Sequence, residues 1–339
     1  MKKVLVTGAG GYIGSVLTTM LFARGYDVVA LDRFFFGRET LPPENGWLRV
    51  LQNDIRWIEK SCLKGIDYVI DLAALSNDPS GELDPEKTWE INHLGRIRIA
   101  RLAKKMGVQR YIFPSSCSVY GFQEGLLDET SSVNPLTTYA KANLRAEQDI
   151  LPLVDDSFCV VILRQATVYG LSPRMRFDLA INGMVRGFFK NGKIQILMDG
   201  TQWRPFIHVK DTARAMILML EASKDVINGQ IFNVGCNDQN VQIMPLAKMV
   251  AETIGVQFEY EWYGLPENRS YRVNFRKIQE TVGFKAEFTL NDGVKEVYGA
   301  LKKGVINPDD LRMVTVQWYK HLIEMQRFLK EIEIRGVLL

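Results

Sequence analysis

Val4-Leu5-Val6-Thr7-Gly8-Ala9-Gly10-Gly11-Tyr12-Ile13-Gly14 decides the fold. A β-branched apolar run, which reads as a buried strand, meets a glycine cluster, and an amphipathic stretch over 13–24 reads as the helix that follows. Gly8, Gly11 and Gly14 lack the Cβ that would block a tight turn. They let the amides at a helix N-terminus approach a pyrophosphate, where the helix dipole favours negative charge. Strand, glycine loop and helix in that order point to a dinucleotide site, with Tyr12 and Ile13 in the loop that would hold it.

Outward from that loop, apolar runs at 28–32, 48–52, 68–72, 111–114 and 160–164 alternate with helical stretches at 86–106 and 139–151, and Gly25 and Gly107 stand where helix C-caps belong. The alternation predicts an α/β fold with a doubly wound parallel sheet, whose ligands bind beyond the carboxyl ends of the strands. Past Gly170 it decays into a helix at 177–189, a strand at 194–198, a helix at 211–222 and a strand at 231–234. The chain therefore divides into a dinucleotide-binding domain over 1–170 and a smaller C-terminal α/β substrate-binding region over 171–339, with about 206–236 returning to the first domain. The last segment, 309–333, carries Leu311, Trp318, Leu322 and Phe328 at helical spacing and reads as an amphipathic helix packed on the body or on another subunit.

Asp32 ends the second strand, eighteen residues beyond Gly14. A carboxylate there accepts from the adenosine ribose hydroxyls and repels a 2′-phosphate, which favours NAD over NADP. Arg33 beside it argues the other way, as a receiver for that phosphate. Asp54 and Ile55, after the third strand, fall near the adenine, although Asp54 also reads as a simple helix cap. Leu72, Ala73 and Ala74, after the fourth, pass close to the pyrophosphate and nicotinamide ribose.

Over 339 residues, 42 basic and 39 acidic side chains leave a formal charge of +3, with no basic block to meet nucleic acid or an anionic membrane. No apolar stretch approaches ~20 residues, and the run after Met1-Lys2-Lys3 stops at Gly8, too soon for a signal peptide. Cys62, Cys117, Cys159 and Cys236 form no CxxC pair, and His93, His208 and His321 are scattered. Reduced thiols in a cytoplasmic protein without a metal centre are expected.

Together with Ser115-Ser116-Cys117-Ser118-Val119-Tyr120-Gly121, Tyr139 and Arg164-Gln165-Ala166-Thr167-Val168-Tyr169-Gly170, these residues resemble the extended short-chain dehydrogenase/reductases, the NAD-dependent epimerase/dehydratase family acting on nucleotide sugars. The resemblance extends over nearly the whole chain. Asp199-Gly200 through Arg204-Pro205-Phe206-Ile207-His208-Val209-Lys210-Asp211 looks like the family's substrate-domain signature, and Phe232-Asn233-Val234-Gly235 like a further landmark. Ser172-Pro173-Arg174-Met175-Arg176-Phe177-Asp178-Leu179 with Asn182 looks closest to a branch of bacterial surface-sugar enzymes that includes nucleotide-heptose C4-dehydrogenases. The resemblance implies a Rossmann-type sheet, NAD, a nucleoside-diphosphate sugar and a homodimer built from the helices at 86–106 and 139–151. It also implies that Tyr139 is the base for a sugar hydroxyl and that Ser116 bonds the reacting oxygen, where a plain turn residue is the alternative.

A tyrosine serves as base only if its pKa falls below the usual value of about 10, and in that family a lysine four residues on lowers it. Here that position is Asn143, with the register fixed by Glu147, while Lys141 points about 200° around the helix from Tyr139. Asn143 can hydrogen-bond the nicotinamide ribose but brings no charge. Three readings follow: catalysis with a less acidic tyrosine, a base from elsewhere, or a site that binds cofactor and sugar without turnover. The 4,6-dehydratases of the superfamily place Asp-Glu after the serine, whereas this chain has Cys117 and Ser118, with Glu124 a few residues on as a carboxylate within conceivable reach. Elimination is thereby disfavoured, and oxidation at C4 is preferred, alone or as the first half of an epimerisation, in surface-polysaccharide or related sugar biosynthesis. A 4-ketosugar reductase using NADPH is a further alternative. On the substrate side, Arg204 is read as a diphosphate contact, Arg269 and Arg272 as completing the clamp, and Asn182 as touching the sugar or its phosphate. Each arginine has a surface or interdomain ion pair as its alternative.

Overall fold

Seven parallel strands form the main sheet, in the spatial order Gln230–Val234, Cys159–Gln165, Arg110–Ser116, Tyr68–Asp71, Lys3–Thr7, Asp27–Asp32 and Leu48–Gln52. The computed structural model describes residues 1–264 and 269–337. From Lys3–Thr7 the chain builds outward first on one side and then on the other, so the order reverses between Lys3–Thr7 and Tyr68–Asp71, where open α/β sheets take their ligands. Continuous apolar runs suit these strands because helices cover both faces. Val4 and Val6 pack into one core layer and Leu5 into the other, all fully buried. The six strands predicted from the sequence lie in this sheet, and Gln230–Val234 pairs parallel with Cys159–Gln165 as the seventh.

Two helix expectations change. The stretch at 86–106 is not one helix: Pro85–Trp89 and Arg96–Lys105 flank a π-helical segment, Glu90–Gly95. Such segments absorb an extra residue and recur at functional sites. Here Asn92 exchanges two hydrogen bonds with the Leu75 backbone, at 2.9 and 3.1 Å, and so pins the loop beyond the fourth strand. The helix expected at 177–189 instead runs over Ala180–Asn191. Arg176 and Asp178 turn inward to pair at 2.6 Å, and Asp178 accepts from Asn77 at 2.7 Å, which keeps the preceding chain in a loop.

Three small sheets stand beside the main one. Trp203–His208 lies between Thr167–Tyr169 and Asn240–Gln242, Ile194–Leu197 pairs with Tyr260–Tyr263, and Phe122–Leu127 pairs with Ser270–Val273. The C-terminal helix, Thr315–Ile332, packs back on the loop after the second strand, where Trp318 Nε1 donates to the Phe35 carbonyl at 2.6 Å and Tyr319 meets the Phe35 ring edge-on. Among the described residues no helix is long and apolar enough to cross a membrane, and no group of three or more His, Cys, Asp or Glu is placed to hold a metal ion.

Candidate active site

The glycine loop is tight because Gly8 and Gly14 admit no side chain. Gly8 has φ +65°, and a Cβ on it would lie 2.7 Å from the Leu72 carbonyl carbon; one on Gly14 would lie 2.2 Å from the Gly8 oxygen. Asp32 closes the loop from the next strand, accepting from the Gly10 amide at 3.0 Å and the Phe34 amide at 2.7 Å. Burial raises the Asp32 pKa, and these amides act against that rise. The Thr7 hydroxyl donates to Asp71 and accepts from the Ala73 amide at 3.1 Å, tying the end of the fourth strand to the first turn. Burial also works against the Asp54 carboxylate, but Arg56 outweighs it and holds its pKa low. Arg33 donates to the same carboxylate at 2.9 Å.

A cavity of about 1040 Å³ runs along the carboxyl ends of the strands. Gly8, Gly11, Tyr12, Ile13, Gly14 and Asp32 line it, as do Asp54, Ile55, Leu72, Ala73 and Ala74. Ser116, at the end of its strand, and Tyr139, in the first turn of the Thr138–Ile150 helix, share its wall with Arg204 and Arg269. Arg204 Nη1 donates to the Arg269 carbonyl at 2.5 Å, and Arg269 pairs with Asp78. Three residues expected at the site lie elsewhere. Asn143 is 1% exposed and sits behind the wall. Asn182 is buried in the scaffold, bonding the Tyr12 phenol at 3.1 Å and the Gly170 amide at 3.0 Å. Arg272 is exposed on its strand, over the Trp203 ring. Glu124 is also exposed and lies off the cavity.

Burial raises the Tyr139 phenol above its ordinary value, and Arg96 is the strongest influence pulling it back down; Asp78 pushes it up, while the Ser116 hydroxyl and Arg176 lower it. Arg96, which lines the cavity, is the functional candidate that sequence reading missed, because a cation in an amphipathic helix reads as solvent-facing. Arg174 is a second buried arginine, stacked 3.6 Å from the Phe36 ring centroid.

Buried polar groups without a partner among the described residues gather at this cavity. Ser118 Oγ, Gln165 Nε2, Gln202 Oε1 and both Nε and Nη1 of Arg174 belong to residues that line it. Each such group costs ~1–3 kcal/mol if left unpaired, so the cavity is built for a polar, anionic ligand. The phosphates and hydroxyls of a dinucleotide and a nucleotide sugar meet that demand.

A doubly wound sheet with a glycine-loop dinucleotide site, and a serine and a tyrosine beside it, defines a nucleotide-dependent oxidoreductase class. Residues 4–235 match the NAD dependent epimerase/dehydratase family, and the chain belongs to it. A putative UDP-glucose 4-epimerase from Methanocaldococcus jannaschii is 28% identical over 306 residues, 88% of this chain and 98% of the relative. Among solved structures, MoeE5 in complex with UDP-glucuronic acid and NAD is 31% identical with TM-score 0.80, matching 89% of this chain and 99% of that one. The UDP-glucuronic acid 4-epimerase from Bacillus cereus, bound to UDP-glucuronic acid and NAD, is 25% identical with TM-score 0.79, matching 89% and 99%. The protein is an NAD-dependent enzyme of the extended short-chain dehydrogenase/reductase type, in a family that acts on nucleotide sugars.

Proposed function

We propose that the protein oxidises C4 of a nucleoside-diphosphate sugar, as a 4-epimerase or a 4-dehydrogenase, in surface-polysaccharide or related sugar biosynthesis. The observation that carries this reading is the placement of Ser116 and Tyr139 in one cavity wall, in the cavity that the glycine loop, Arg204 and Arg269 also line. NAD, when bound, supplies the acceptor for the C4 hydrogen and its electron pair. Tyr139 takes the hydroxyl proton, Ser116 holds the sugar oxygen as the carbonyl forms, and Arg204 and Arg269 hold the diphosphate. The names of the relatives, UDP-glucose and UDP-glucuronic acid 4-epimerases, support a C4 reaction on a UDP sugar.

Elimination lacks its acid here. Burial pushes the Cys117 thiol up, its Sγ donates to the Arg164 carbonyl at 3.2 Å, and Glu124 faces solvent. The NADPH reading loses its local support because Arg33 is paired with Asp54. We also assign the protein to the cytoplasm, as a homodimer through the face where His93 and Arg145 both meet Asp149, at 2.7 and 3.0 Å. Light scattering checks the dimer. For the activity, protein with NAD is incubated with UDP-glucose and UDP-glucuronic acid, and the products are identified by NMR and mass spectrometry. A 4-ketosugar or a C4 epimer is expected. A 4-keto-6-deoxy or decarboxylated sugar, or no turnover of any nucleotide sugar, overturns the reading.

A further inference from the structure

Arg96 places a full charge in the interior at 3% exposure. It follows directly on the π-helical segment Glu90–Gly95, so the extra residue of that segment sets which way its side chain leaves the helix. Nε donates to the Ala73 carbonyl at 3.1 Å, Nη1 donates to Asn143 Oδ1 at 2.8 Å, and the guanidinium lies over the Phe113 ring at 4.7 Å. Nη2 has no hydrogen-bond partner among the described residues, and the residue lines the cavity together with Ser116 and Tyr139. Asn143 Nδ2 in turn donates to the Tyr139 carbonyl at 2.9 Å, so Asn143 is a strut between the guanidinium and the turn that carries the phenol.

We propose that Arg96 is the cation that lets Tyr139 accept a proton, held in place for that task by Asn143. This rests on the C4 oxidation proposed above. A buried guanidinium favours the phenolate, and it does so strongly where water is excluded. The charged and hydroxyl groups that act most strongly on Tyr139 are Arg96, Asp78, Ser116 and Arg176. Arg176 is matched by Asp178, and Asp78 by Arg269, whereas Arg96 forms no ion pair with a carboxylate among the described residues. Its charge also reaches the buried Asp71 carboxylate behind it, which is held by the Thr7 and Tyr111 hydroxyls, and on the cavity side it acts on the phenol. The same geometry accounts for asparagine at 143: a lysine there would set a second cation against Arg96 and remove the acceptor for Nη1.

The test is the titration of Tyr139 in the full chain with NAD bound, read by NMR of ring-labelled tyrosine and assigned with Tyr139→Phe, which requires no turnover. Arg96→Gln keeps a donor but no charge. It is expected to raise the Tyr139 pKa by about one unit or more and to move the pH dependence of C4 oxidation upward with it. Arg96→Lys is expected to stay within about half a unit of the wild type. Identical titration in all three proteins overturns the proposal, since a merely structural arginine would leave the phenol where it was. If Arg96→Gln does not fold, Arg96→Met, which keeps the length of the side chain without its charge, takes its place: an upward shift of about one unit or more supports the proposal, and a titration at the wild-type value overturns it. Should the wild type turn over no nucleotide sugar, the functional reading falls, while the NMR titration still decides whether Arg96 governs the phenol.

Discussion

The two ends of the cavity are assembled by different means. At the cofactor end, Gly8 to Gly14, Asp32, Asp54 and Leu72 to Ala74 each sit within a few residues of a strand's carboxyl end, so the doubly wound sheet alone brings them together. At the sugar end the wall is drawn from Asn77, Arg176, Arg204 and Tyr271, segments spread over most of the chain that meet only through tertiary packing. The first end is a local property of the fold. The second is a long-range one.

Breaking the cofactor end requires one methyl group. In Gly14→Ala the new Cβ lies 2.2 Å from the Gly8 oxygen and 2.7 Å from the Ala9 Cα, both backbone atoms that cannot swing aside. NAD affinity, measured by calorimetric titration, is expected to fall by at least ~100-fold, with loss of folding as the extreme outcome. Gly299→Ala is the control. Its Cβ meets nothing within 4 Å on the Leu290–Lys302 helix, so NAD binding should be unchanged and stability should rise by ~0.4–1 kcal/mol. Full NAD affinity in Gly14→Ala would mean that the loop does not organise this end.

Tyr139→Phe sharpens the boundary between the two ends. Removing the hydroxyl should cut kcat by ~10²–10⁴-fold with little change in KM or NAD affinity, because the proton is accepted only in the transition state. An equal rise in KM with kcat preserved would place Tyr139 among the binding groups instead.

The same division explains what was legible in the sequence. The glycine loop and the strand-end residues are readable because periodicity locates strands and the fold locates their ends. Asn182 and Arg272 carry motif-like neighbourhoods but lie in the scaffold and on the surface, since which face a residue presents depends on partners such as Tyr12 and Trp203. Phe122–Leu127 and Ser270–Val273 pair across a long sequence separation, and their half-exposed, mixed composition gives no strong alternation to detect. Arg96 was unreadable for a sharper reason: the helical period that places it toward solvent is interrupted one residue earlier by the π-helical segment.

Within the sugar end, two arginines that look alike in sequence should separate in solution. Arg204 lines the cavity beside Arg269, while Arg272 two strand positions beyond Ser270 faces outward. Arg204→Ala is expected to raise KM for the nucleotide sugar by ~10-fold or more through the lost diphosphate contact, and Arg272→Ala to stay within about 2-fold. Equal effects would show that Arg204 does not single out the diphosphate, although it lines the cavity and Arg272, on the neighbouring small sheet, does not.

The smallest effect contrasts the scaffold behind the cavity with its cofactor end by the sign of their pH dependence. Burial works to raise the pKa of Glu296, but hydrogen bonds from His208, Lys210 and the Leu171 amide outweigh it and hold the carboxyl at about 2. A carboxylate depressed on folding contributes stability above its unfolded pKa of about 4.5, and that stability is lost as pH falls toward 2. Asp32 has the opposite sign: burial raises its folded pKa, so protonation in acid favours the folded state at the cofactor end. Glu296→Gln should therefore lower Tm by about a few degrees at neutral pH and flatten its fall below pH 4.5, read by thermal unfolding across that range. A variant that still loses stability as steeply as the wild type would shift the origin of acid unfolding away from the contacts that join the Leu290–Lys302 helix to the Trp203–His208 strand.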